Sequence, residues 1–320
     1  MGWVISFGES SKIDMVLPRF LRSALLIAFA SIASLPAAPQ APPPLDAAYQ
    51  HSFAKWKADL IEDRKQNWLT LAGLFWLKPG ENSFGSDLVN AVVLPGNAVP
   101  GHAGTFLLQG KDVTLKALPA AQVFISGKSV TTAKLDPDVS GHPTVLELGS
   151  LRMHVIQRGD RFGIRVKDLK NPAIENYRGP TFYPLSADYV VVATWVPSDG
   201  KKFVQVPNVL GDVTATPVVG EARFSLAGQE MKLTAVGGDE AHGVFIIFAD
   251  PTRKTDTYPA GRFLDTEAVK DGKLLLDFNR AYNPPCALTP YATCPLPPKE
   301  NQLAVHIRAG EKYDHSGGSH

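Results

Sequence analysis

The sequence predicts a mostly β fold: antiparallel β-sandwich or barrel-like sheets behind one N-terminal amphipathic helix. Three observations carry this reading. From Trp68 onward, short runs rich in Val, Ile, Leu, Phe and Thr alternate with turn signals such as "SGK", "RGDR", "PSDGK", "LAGQE" and "KDGK". About fourteen of these runs are long enough to be strands. The connections between them are of hairpin length and lack helical periodicity, which makes neighbouring strands antiparallel.

Taken in chain order, Arg19 and Arg22 precede "SALLIAFASIASLPAA", an apolar run of signal-peptide length and short of the ~20 residues that span a bilayer. Residues 1–44 are read as an export signal and a Pro-rich linker, with Met15 as a second candidate start and an uncut anchor as the competing reading. Export places the protein outside the cytosol, periplasmic or secreted, with no stable membrane span after signal removal. In "LDAAYQHSFAKWKADLIEDRKQ", Tyr49, Phe53, Trp56 and Leu60 recur at the period of one helical face. The β region follows. The Pro/Gly-dense stretch 168–188 is its most plausible seam, dividing 45–168 from 169–320, unless 45–313 is one continuous domain with a long loop beside a pocket.

Composition removes some functions. With 320 residues, 32 basic against 31 acidic and a net charge of +1, the chain lacks the summed positive field of a nucleic-acid binder. No G-x-S-x-G elbow, H-E-x-x-H, phosphate-binding lysine loop or dinucleotide fingerprint is present. The eight histidines are scattered, and none pairs with another at metal-binding spacing. His154, in the alternating run "LRMHVIQ", reads as a hydrogen-bonded sheet residue. No metal site, cofactor or oligomeric state is legible.

Both cysteines, Cys286 and Cys294, lie in "DFNRAYNPPCALTPYATCPLPPKEN", whose prolines forbid a helix or a central strand. Zinc would need two further ligands, and a thiolate nucleophile would need a basic partner from elsewhere in the fold. A disulfide is the favoured reading, because an exported coil without ladder hydrogen bonds gains most from a covalent closure.

The texts "NWLTLAGLFWLKPGENSFGSD", "RFGIRVKD", "TYPAGRFL" and "LDFNRAYNPPCALTPYATCPLPPKENQL" closely resemble the bacterial and archaeal family called domain of unknown function 1684, from Trp68 to Glu311. The resemblance implies no activity. Within it, residues 73–118 look like the opening strands of a forkhead-associated domain, a phosphothreonine-reading β-sandwich. Ser86 and Val99 replace that family's arginine and serine, so this similarity implies a sandwich-like start without the groups that hold phosphate.

Candidate functional residues sit where polar groups meet turn-rich backbone. Arg165 with Asp168, Arg262, and the run Asp277, Asn279, Arg280, Tyr282 and Asn283 are the candidates, and Arg165, Arg262 and Arg280 with Asp277, Asn279 and Asn283 are expected to converge on one pocket. Arginine forks suit carboxylate or phosphate, and Asn and Asp suit hydroxyls, so the expected ligand is a small anionic or polyhydroxylated molecule. The alternatives are a hydrolase with Asp277 as general base and a structural envelope protein. The bland reading of each residue is a surface ion pair or a turn cap. Trp68, Phe75 and Trp76 read as core before they read as a sugar platform.

Overall fold

The computed structural model describes residues 45–96 and 99–315. The expected export signal, the expected linker and all but the first residue of the polar tail "HSGGSH" lie outside them. Among the described residues no helix is long and apolar enough to cross a membrane.

The expected helix runs Ala47–Asp63, with the Asp46 carboxylate capping it by accepting from the Tyr49 backbone N–H at 2.8 Å. Phe53 and Leu60 are buried on its inner face. Phe53, Trp56 and Phe182 pack ring against ring, with centroids 5.4–5.7 Å apart. A π-helical turn, Arg64–Trp68, continues the helix and delivers Arg64 to the interior.

The β strands pair antiparallel as expected, except for the short parallel pair of Gly80–Gly85 with Val92–Val93; an isolated bridge, Ala249 with Gln302, is also parallel. Short two- and three-residue strands raise the number of strands above the sequence expectation, to twenty among the described residues. A six-stranded sheet is built on Leu71–Trp76, Arg161–Asp168 and Leu151–Arg158, in that spatial order. It faces a five-stranded sheet that contains Gly104–Gln109 and Asp112–Ala117. Phe84 and Phe106 from one sheet share a buried cluster with Met153, Val155, Ile164 and Val166 from the other. Alternation explains this arrangement: Phe162, Ile164 and Val166 turn inward, while Arg161, Arg165 and Lys167 occupy the opposite face.

The second core packs a four-stranded sheet around Val190–Pro197 against a three-stranded sheet that contains Gly243–Phe248 and Arg262–Asp265. Leu303, Val305, Ile307 and Ala309 of the C-terminal segment fill the same cluster. Among the described residues no sheet closes into a barrel. A third cluster joins Leu71, Val204, Val206, Ile247 and Phe263 to Ala292 and Cys294, so residues from both sides of 168–188 pack on the cysteine loop.

One buried ion pair ties the end of the N-terminal helix to the segment around Glu311. Arg64, with no exposed surface, donates from Nη1 and Nη2 to the Glu311 carboxylate at 2.8 and 2.6 Å. Nη1 also donates to the Tyr177 hydroxyl at 2.7 Å, and Glu311 accepts from the Asn283 backbone N–H at 2.7 Å. Gly310 makes the approach possible: its φ is +80°, and a Cβ there would sit 2.6 Å from the Ala281 carbonyl oxygen. Removing one member of such a pair leaves the other charged, buried and unanswered. Glu311→Gln should lower the unfolding free energy by about 3–5 kcal/mol in urea denaturation.

Candidate functional site

Two cavities flank the cysteine loop, and the smaller one has the chemistry of a site. Its volume is about 380 Å³, and its lining includes Trp68, His154, Arg165, Lys167, Thr293 and Cys294. The floor follows from strand register. Arg158 pairs with Arg161 across the Gly159–Asp160 turn, His154 falls opposite Arg165, and Arg152 opposite Lys167. Directly opposed residues share a sheet face, so these basic side chains form one cluster behind the first core.

Most of them have carboxylate partners: Arg152 has Glu147 at 3.4 Å, Arg158 has Asp138 at 2.7 Å, and Arg161 has Asp212. Arg165 and Lys167 differ. Among the described residues no carboxylate lies within 4.0 Å of either. Arg165 donates only to the Thr293 hydroxyl, at 3.2 Å, which also accepts from Arg158 Nε at 3.2 Å. Its own Nε is buried and has no acceptor. Lys167 donates to the Asn67 side-chain oxygen at 3.2 Å.

Burial, and then the nearby Arg158, pull the Arg165 pKa down to about 10, so the guanidinium stays charged at neutral pH. Lys167 is lowered by burial and then by Arg165. His154 is lowered to about 4, first by burial and second by the Arg165 charge, and is therefore neutral at pH 7. The cavity thus presents two cations, a neutral imidazole and a hydroxyl, with no Asp or Glu in its lining.

The wall opposite the floor comes from the cysteine loop. Cys286 and Cys294 lie at disulfide distance, Cα atoms 6.2 Å apart, as the sequence leads one to expect. The Cys286 backbone N–H points at the Cys294 sulfur from 3.1 Å. The closure fixes Thr293, one residue before Cys294, over the two arginines.

The other expected site residues go elsewhere, and the expected single pocket does not form. Arg262 is fully buried against Asp250 at 2.9 Å and donates to the carbonyls of Ile307, at 3.0 Å, and Ala309. Asp277 accepts from the Tyr49 hydroxyl at 3.0 Å and from the Asn279 backbone N–H at 3.2 Å, and pairs with Arg280 at 3.1 Å. Burial raises its pKa, yet it lines neither cavity. Asn279 bonds Ser186 and Tyr49, and Arg280 donates to Ser52. These groups clasp the N-terminal helix. Tyr282 donates to Asp265 at 2.6 Å, and Asp168 accepts from the Lys170 N–H at 2.9 Å. Asn283 lines the larger cavity, of about 730 Å³. Of the aromatic run, Phe75 packs on the first core, Trp76 lies under Arg161 at 4.8 Å, and Trp68 lines the smaller cavity. His154, Lys167 and Thr293 are site residues that the sequence reading did not select.

The family model described as a protein of unknown function (DUF1684) matches residues 175–312. The chain belongs to the DUF1684 family. The matched part of this DUF1684 protein holds the cysteine-loop wall, and the cationic floor precedes it. An uncharacterized protein of Haloarcula marismortui, solved by solution NMR, is 30% identical over 44% of this chain and 80% of its own, with a TM-score of 0.37. No curated protein matches.

The His154 environment has a pH signature. Between pH 6.5 and about 4 the unfolded chain takes up a proton on His154 that the folded protein refuses, so stability falls as pH drops through this window. The loss is on the order of 3 kcal/mol. His154→Gln should flatten that limb of the urea-stability profile relative to the unsubstituted protein.

Proposed function

We propose that this DUF1684 protein binds a small anion, of the carboxylate or phosphate class, in the cavity between the Arg165 strand and the cysteine loop, and does so outside the cytosol. One observation carries the reading: Arg165 is a largely buried guanidinium with no carboxylate within 4.0 Å among the described residues, and its Nε is left without an acceptor. A buried charge of this kind costs several kcal/mol unless something answers it. An anion would do so, with the Arg165 fork and the Lys167 ammonium supplying charge-assisted hydrogen bonds. The volume falls in the usual range for small-molecule sites, about 300–1,000 Å³. The Trp68 ring supplies an apolar wall, and the Thr293 hydroxyl adds an orienting group.

Export is supported by the cysteine pair, because disulfides persist in oxidising compartments. Ligand binding here needs no covalent chemistry.

Thermal unfolding in chloride buffer with added phosphate, sulfate or citrate tests the anion site. At least one anion should raise the Tm in a saturable way, and Arg165→Ala should weaken its binding about tenfold or more. A shift that survives Arg165→Ala, or no shift with any of the three, would overturn the reading. Reduction should also lower the unfolding free energy, by about 2.5 kcal/mol in the chain-entropy picture of a loop this short. Urea titrations with and without reductant, compared with the double variant Cys286→Ala/Cys294→Ala, check this value.

A further inference from the structure

We infer that the larger cavity, of about 730 Å³, is a second and independent site that takes a neutral polyhydroxylated molecule of sugar size, held through Asn283 and Tyr177. The argument starts from Asn283. It is 3% exposed, and its Nδ2 donates to the Lys312 carbonyl at 3.0 Å, which fixes the orientation of the amide. Its Oδ1 is then a buried acceptor with no donor among the described residues. Such an atom loses about 1–3 kcal/mol if nothing meets it. A hydroxyl entering the cavity would satisfy it.

The neighbouring groups define what else that molecule carries. The Tyr177 oxygen accepts from Arg64 at 2.7 Å, which leaves its proton to donate. The Thr181 hydroxyl lies on the same wall, and the Tyr313 ring, edge-on to Tyr258 at 4.9 Å, adds an apolar face. Acceptor, donor and ring together match a sugar, in which each hydroxyl both gives and takes a hydrogen bond and the C–H face is apolar.

Charge argues for a neutral ligand. The one buried carboxylate of the lining, Glu311, is answered by Arg64 at 2.6 Å and by the Asn283 N–H at 2.7 Å. Asp256 accepts from the Thr255 hydroxyl at 3.0 Å. Lys312 of the same lining lies over the Tyr183 ring at 5.3 Å, so no fully buried charge of this wall is left without a counter-ion.

Saturation-transfer NMR on the full chain with glucose, mannose, N-acetylglucosamine and glucosamine tests the assignment. At least one neutral sugar should receive saturation, and Tyr177→Phe and Asn283→Ala should each weaken its binding about fivefold, in variants whose near-ultraviolet circular dichroism is unchanged. Arg165→Ala should leave sugar binding intact, which separates this site from the anion site. Three results would overturn the inference: no transfer to any neutral sugar, transfer unaffected by Tyr177→Phe, or glucosamine binding more tightly than glucose. Should Asn283→Ala fail to fold, Tyr177→Phe alone decides.

Discussion

Burying a full guanidinium is the constraint around which this protein is organised. Arg64 comes from the end of the N-terminal helix and Glu311 from near the C-terminus, yet neither can be inside without the other. The pair is completed by Tyr177 and by the backbone of Asn283, so four distant stretches of chain are fixed relative to one another by one cation. The cysteine loop begins immediately after Asn283, and its position follows from that anchor. Arg262 repeats the solution in the second core, where Asp250 and two carbonyls enclose it and Phe248 lies 5.1 Å beneath.

Arg165 breaks the pattern. It is also largely withdrawn from water, but among the described residues a hydroxyl shared with another arginine is its only acceptor. Among the described residues, then, the guanidiniums of Arg64 and Arg262 each have a carboxylate partner and that of Arg165 has none. A largely buried cation without a carboxylate, in a molecule whose other buried guanidiniums have one, distinguishes a place for a ligand from a place for packing.

The fold was largely legible because local rules suffice for it. The helix declares itself through the period of Tyr49, Phe53, Trp56 and Leu60, and the strands through alternation such as that of "RFGIRVKD". The site was legible in part. Arg165 stands out as a charge at an outward strand position, and Lys167 could have been read two residues later on the same face. His154 was also within reach: counting outward from the two-residue turn Gly159–Asp160 places it opposite Arg165. Arg262 and Asp277 misled because a buried structural arginine and a ligand-binding one have the same local sequence signature. Their partners, Asp250 and Tyr49, are set by tertiary packing, and so is the arrival of Thr293 above the arginines. No spacing rule encodes those contacts.

The clasp between the first helix and the last segment also has a meaning in time. Tyr49 and Asp277 are separated by 228 positions, and Arg64 and Glu311 by 247. A ribosome adding ~5–20 residues per second would leave the helix without its partners for on the order of 10–50 s after Arg64 is made. The first sandwich, complete by Asp168, can assemble in that interval, but the helix has to wait for nearly the whole chain. The helix therefore docks only after the segment around Glu311 has been made.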